Sequence, residues 1–324
     1  MLASDEGEGQ RLCNDLSSMG TAALVYPARD FNFRAAEGQS REYEHQRLQV
    51  MAGMLDGDYQ VVISCIDAAL QYTIPPDELR SKRLTLRAGQ EAPLEKIEAL
   101  LSASGYERYQ QVEGPGQFAV RGGILDFFTP DASAPVRVEF WGDEIDSISS
   151  FDTASQRRTE SLERCSVLPA AETLPSLCRG GSAQLAAELN KLAARAERRG
   201  DARLAGTLAE DAERLENGAE LRAADRYAGL VCSRRACALD YAPEGALVVL
   251  DQPGRFMDRA REYAKQLESD VEQLRSAGRM AAKAADFCLG EQEALDALAR
   301  FPLYMADAFT AGRYPLPTAS VRCV

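Results

Sequence analysis

A phosphate-binding loop needs glycine amides to cradle the anion and a lysine to reach its terminal groups, in the order Gly-x-x-x-x-Gly-Lys-Ser/Thr. None of the five lysines, Lys82, Lys96, Lys191, Lys265 and Lys283, follows a glycine. ATP hydrolysis by these residues is therefore not expected. The apolar run Ala246 to Leu250 ends at Asp251, where a magnesium-binding carboxylate could stand, but without the loop a plain core strand is the simpler account. Gly114, Gly116 and Ala119 match the Gly-x-Gly-x-x-Ala dinucleotide pattern, yet Pro115 lies between the glycines and a strand pattern follows instead of a helix. This reads as a turn before a hairpin. The single histidine, His45, sits in Glu42-Tyr43-Glu44-His45 on an expected helix, as a solvent-facing or boundary residue. The adjacent pair Asp143 and Glu144 marks a turn or a charged rim better than an acid–base couple. Eight cysteines (Cys13, Cys65, Cys165, Cys178, Cys232, Cys237, Cys288 and Cys323) contain no Cys-x-x-Cys spacing, which disfavours zinc. No catalytic residue, metal or cofactor is assigned.

One stretch does carry a chemical pattern. Alternation along Val136 to Trp141 puts Val136, Val138 and Phe140 on one face of a strand and Arg137, Glu139 and Trp141 on the other. In the preceding run Phe118 and Val120 point inward while Arg121 points away, and Gly122-Gly123 implies a bulge or a close backbone approach. Arg121, Arg137 and the chain's only tryptophan, Trp141, can thus share one sheet surface. Tryptophan and arginine are enriched in interface hot spots because one buries a large rigid area and the other makes planar charge-assisted hydrogen bonds. Two readings stay open: a docking surface, or a Trp141 packed under the helix that starts at Leu94, with the arginines paired to Glu139 or Asp143.

The elements that would position this surface follow from periodicity. Leu12 and Leu16 share a helical face, Ala22 to Tyr26 is a short apolar run, Tyr43 to Leu55 is helical again, and Val61 to Cys65 is a second apolar run. Strands alternating with helices predict a parallel sheet. A helix soon after Met1 to Asp5, with no strand before it, predicts a truncated domain. From Arg83 the pattern changes to an α+β block: alternation at Leu84 and Leu86, a helix through Leu94, Ile97 and Leu101 capped by Gly105, and two strand runs, Phe118 to Phe128 and Val136 to Ile148, forming a hairpin through Thr129 to Pro135. Beyond Gly180-Gly181 the leucines Leu185, Leu189 and Leu192, then Leu204, Leu208 and Leu215, recur at helical spacing. A strand from Ala246, a long helix marked by Phe256, Ala260, Tyr263, Leu267, Val271 and Leu274, and a short strand at Leu303 to Ala306 resume the α/β pattern before a tail with Pro315 and Pro317.

At 324 residues, 45% hydrophobic and 27% charged, the chain has ordinary globular composition and room for two cores. The formal net charge of -13 repels phosphate backbones, so broad nucleic-acid binding would need a local basic patch. No secretion signal and no apolar run of about 18 residues is visible; a cytoplasmic protein is expected.

The run Gly116-Gln117-Phe118-Ala119-Val120-Arg121-Gly122-Gly123-Ile124-Leu125-Asp126, with Val136-Arg137-Val138-Glu139-Phe140-Trp141-Gly142-Asp143-Glu144-Ile145, resembles the hairpin shared by the excinuclease protein UvrB and transcription-repair coupling factors. Tyr26-Pro27-Ala28-Arg29-Asp30, Ser40-Arg41-Glu42, Ala68-Ala69-Leu70-Gln71 before Pro75-Pro76, Leu239-Asp240-Tyr241-Ala242-Pro243 and Leu298 to Phe309 are similar to the amino-terminal, UvrB-like region of the coupling factors. The stretch from Val61 to Arg83 leaves no room for the DNA-clamping hairpin of UvrB.

The resemblance implies an α/β fold: a truncated, P-loop-like parallel-sheet domain carrying an inserted small α+β domain of the UvrB-interaction type, which contains the hairpin. It divides the chain into 1–83, an inserted 84–168, and 169–324 with a helical segment at 180–230. It implies a non-catalytic adaptor that docks the excinuclease protein UvrA in transcription-coupled nucleotide excision repair, through positions matching Arg121, Arg137 and Trp141; relatives often have phenylalanine where Trp141 stands. RNA polymerase and DNA are implied as partners of the whole family protein. The alternatives are a piece of UvrB and a nucleotide-dependent α/β enzyme using Asp251.

Overall fold

The computed structural model describes residues 1–33, 40–221, 223–231, 234–306 and 316. The end of the Leu298 to Phe309 segment, the tail prolines Pro315 and Pro317, Cys232 and Cys323 lie outside the described residues.

The first surprise is at the start of the chain. Leu2–Ala3 forms a strand, β1, which is central in a parallel sheet. Two residues are too few to give an apolar run, so the expected absence of a strand before the first helix is wrong. Their burial (5% and 1% exposed) and their pairing on both sides show the role. Helix α1 (Glu6–Ser18) follows, capped by Asp5 accepting from the Glu8 amide at 2.9 Å. Next come β2 (Ala23–Tyr26), α2 (Glu42–Asp56), β3 (Val61–Cys65), α3 (Ile66–Leu70) and α4 (Pro76–Lys82). The stretch after β3 is therefore two short helices, with no DNA-clamp hairpin among the described residues.

The inserted block opens with β4 (Leu84–Arg87) and α5 (Leu94–Ala103), then β5 (Glu107–Arg108), β6 (Gln117–Arg121), β7 (Ile124–Phe127), β8 (Val136–Trp141), β9 (Glu144–Phe151), β10 (Arg158–Leu162) and β11 (Arg164–Val167). Where one hairpin was expected, β6 to β10 form an antiparallel meander, and with β5 they make a six-stranded sheet in the order β10-β9-β8-β7-β6-β5. The long runs are split by tight turns that periodicity alone does not reveal. At Gly122-Gly123, between the paired Arg121 and Ile124, Gly122 has φ +61°, and a side chain at Gly123 would meet the Phe140 carbonyl at 3.0 Å. Helix α5 covers the inner face through Ile97 and Leu101, over Phe118, Leu125, Phe127, Val136 and Val138. The entering and leaving strands pair with each other, Leu84 opposite Val167 and Arg87 opposite Arg164.

The chain then runs through α6 (Gly181–Arg198), α7 (Ala202–Glu216), α8 (Ala228–Val231), β12 (Val248–Asp251), α9 (Pro253–Ser276), α10 (Glu291–Leu298) and β13 (Leu303–Ala306). Strands β12 and β13 complete the five-stranded parallel sheet, ordered β13-β12-β1-β3-β2. The α6–α7 pair buries Leu185, Leu189, Leu192, Leu208 and Leu215 in one core with Leu48 and Met51 of α2, while Phe256, Met257 and Ala260 of α9 pack under β12 and β1. The architecture is the α/β class expected, a parallel sheet with an antiparallel α+β block inserted. No described helix is long and apolar enough to cross a membrane.

Candidate protein-docking site

On the outer face of the six-stranded sheet, cross-strand register brings side chains together that sequence distance separates. Asp126 of β7 lies directly opposite Arg137 of β8, and Ile124 opposite both Arg121 and Glu139. The Asp126 carboxylate is fully buried and receives three N–H donors: Arg137 Nε at 2.7 Å, Arg137 Nη2 at 2.8 Å and Arg121 Nη2 at 2.5 Å. Arg137 also donates from Nη1 to the Gln156 carbonyl at 3.2 Å and lies 4.7 Å over the Phe151 ring. The hydrogen bond to Asp126 raises the Arg137 pKa further above its ordinary value. The arginine side chains differ in exposure, 13% for Arg137 and 47% for Arg121.

The outer face is thus divided. At one end Phe151 and Ala119 are covered by Val112. At the other, Arg121 is exposed and Trp141 stands 83% exposed at the tip of β8. The packing reading of these residues does not hold. Trp141 is not under the helix at Leu94, and the arginines pair with Asp126 instead of Glu139 or Asp143; Glu139 is paired with Arg158. Asp126 was not singled out in the sequence, because its partners depend on strand register.

A second charged cluster, which sequence reasoning missed, lies where the inserted block rejoins the chain. Arg47 of α2 is fully buried and forks onto Glu172 at 2.7 and 3.2 Å, while its Nη1 donates to the Pro27 carbonyl at 3.0 Å and to Gln71 at 2.9 Å. Arg29 donates to Glu44 at 3.1 Å and to Asp225 at 3.2 Å, and Arg41 to Glu44 at 2.9 Å. Burial alone would raise the Glu44 pKa, but Arg41 and Arg29 pull it down to about 2. The Tyr26 to Asp30, Ser40 to Glu42 and Ala68 to Gln71 segments, which carry part of the family resemblance, supply much of this hub. A cleft of about 1510 Å³ opens beside it, lined in part by Arg29, Arg41, Glu44 and Asp225; their charges are already matched to one another, so the hub is structural.

The other candidate positions fall apart in space or into ordinary roles. Gly116 precedes β6 and lies against the His45 ring, whose Nε2 is 3.1 Å from the Ala170 carbonyl; His45 is a half-buried boundary residue. Asp251 ends β12. Among the described residues no group of three histidine, cysteine or carboxylate side chains is placed to hold a metal ion.

Residues 84–172 match the UvrB interaction domain family. Over 84% of its length the chain is 28% identical to a transcription-repair-coupling factor of Bacillus subtilis, and the match covers 24% of that protein. Shorter matches reach 32% identity with the factor of Haemophilus influenzae, over 41% of this chain and 12% of the relative. With that of Mycobacterium bovis identity is 43%, over 32% of this chain and 8% of the relative. Residues 84–172 are therefore similar to the UvrB interaction domain family, and the chain, which spans about a quarter or less of the relatives it matches, is similar along most of its own length to transcription-repair-coupling factors.

Proposed function

We propose that this chain is a non-catalytic docking region that binds the excinuclease protein UvrA in transcription-coupled nucleotide excision repair, in the cytoplasm, through Arg121, Arg137 and Trp141. The observation that carries the reading is the exposure of Trp141, at 83%, on the same sheet face as Arg121 in a domain matched to the UvrB interaction family. An indole left in water at a strand tip is costly unless a partner covers it. Polymerase contacts, DNA contacts and any ATP-driven step are proposed to lie in parts of the relatives outside the shared region.

The test is affinity for purified UvrA. Trp141→Ala and Arg121→Ala should each cost about 2 kcal/mol or more, roughly thirtyfold. Because its indole packs against little, Trp141→Ala should leave folding stability within about 0.5 kcal/mol of the parent. Full-strength binding by a folded Arg121→Ala, Arg137→Ala double variant would overturn the reading.

A further inference from the structure

We infer that Asp126 and Arg137 are positioning residues, which set the docking face by fixing Arg121 and do not themselves touch the partner. The inference rests on the docking reading above and divides the labour within that face.

Asp126 is fully buried, so no partner side chain reaches it. Arg137 is only slightly less committed. Its Nε and Nη2 are spent on Asp126, its Nη1 on the Gln156 carbonyl, and one face of its guanidinium on the Phe151 ring. Three of its five N–H groups have acceptors and the side chain is only 13% exposed, which leaves it little with which to read a partner's carboxylate. Removing Arg137 would leave a buried carboxylate with a single half-exposed cation, and a buried charge without its partner is unstable.

Arg121 is the complement of this pair. It spends one nitrogen, Nη2, on Asp126, and its Nε and Nη1 have no hydrogen-bond acceptor among the described residues. Those N–H groups are left for an acceptor on the partner. An acidic side chain fits best, because two arginines around one buried carboxylate leave the cluster a positive charge. Tying Arg121 down before contact spares the complex the entropy cost of ordering a long, rotamer-rich side chain. The single hydrogen bond from Arg121 to an Asp126 that Arg137 already fixes thus makes the face ready for binding.

A double-mutant cycle on the 324-residue chain with purified UvrA separates positioning from contact. With Arg121 present, Arg137→Ala and Asp126→Asn should each weaken binding by about three- to tenfold. In an Arg121→Ala background the same substitutions should change affinity by less than about twofold, because the residue they act through is gone. If Arg137 touches the partner, its loss multiplies with that of Arg121 in both backgrounds, which overturns this inference and leaves the docking reading intact. Full-strength binding by Arg121→Ala itself would instead remove the docking role of that residue. Should Arg137→Ala fail to fold, the Asp126→Asn arm decides, together with the nuclear magnetic resonance signal of the Arg121 Nη2–H in the free chain. That signal should sit apart from those of solvent-exposed arginines in the parent and merge with them in Asp126→Asn. A signal unmoved by the substitution would refute positioning by Asp126.

Discussion

Arg47→Ala is the substitution whose cost the structure specifies most fully. The side chain is completely buried and its guanidinium holds the equally buried Glu172 by two hydrogen bonds, at 2.7 and 3.2 Å, while lying 4.3 Å over the Tyr26 ring. Removing one member of a buried ion pair costs about 3–5 kcal/mol, because the other charge stays behind without compensation. Two features set the value within that range. Arg29 Nε lies 3.6 Å from the same carboxylate and Thr73 donates to it at 2.5 Å, which favours the lower end; the volume vacated by a large side chain favours the upper. A loss near 3–4 kcal/mol is expected, a large share of a typical stability of about 5–15 kcal/mol. Urea unfolding followed by far-ultraviolet circular dichroism is the suitable assay. Fluorescence would be a poor probe, since the only tryptophan is already exposed. The double variant Arg47→Met, Glu172→Leu removes both charges together and should recover much of the loss. A cost below about 1 kcal/mol for Arg47→Ala, or a double variant worse than the sum of its parts, would refute the account of the hub as a tightly coupled buried network.

Two further outcomes follow from the same geometry. Glu44 has a pKa of about 2 in the folded chain against an ordinary value of 4.5. Its ionised form therefore stabilises the fold fully above about pH 4.5, and that contribution is lost as pH falls toward 2; at about 1.4 kcal/mol per pH unit it amounts to roughly 3 kcal/mol. Glu44→Gln should flatten the acid limb of the stability profile over that window, and an unchanged limb would count against the ion pairs with Arg29 and Arg41. Residues 84–172 expressed alone should melt cooperatively, since their core is closed by α5 and their end strands pair with each other; a featureless melt would count against an independently folding inserted domain.

The parts of this fold that were legible in the sequence are those written in a run of residues. Alternation placed Val136 and Val138 inside and Trp141 outside, and helical spacing identified the buried leucines of α6 and α7. What was hidden depends on pairing between distant segments. Strand β1 is two residues long and is recognisable only from its neighbours on either side. The contact between Arg137 and Asp126 needs the register of β7 against β8, and the pairing of Arg47 with Glu172 joins residues 125 apart in sequence. The charged residues of the hub read as ordinary solvated arginines and carboxylates. Their burial becomes visible only when α2, the segment after α3 and the exit from the inserted block are seen to converge.

The position of that hub bears on how docking would reach the rest of the chain. From Val167, the last residue of β11, only four residues intervene before Glu172. They are held from both sides: the Tyr106 hydroxyl donates to the Leu168 carbonyl at 2.6 Å, the Ala170 amide donates to the Ser104 carbonyl at 2.8 Å, and the Ala170 carbonyl lies 3.1 Å from His45. A flexible linker would let a partner bound at Trp141 and Arg121 swing freely against the parallel sheet. Here the exit is a short, hydrogen-bonded strap that ends in a buried ion pair, and β11, which leads into it, is zipped to the entry strand β4 along four residue pairs. Force or orientation imposed at the proposed docking face would therefore pass to the parallel sheet through covalent chain, a two-stranded ladder and the hub. On this argument, substitutions in the hub should leave the intrinsic affinity of the face unchanged while loosening the orientation in which a bound partner is held.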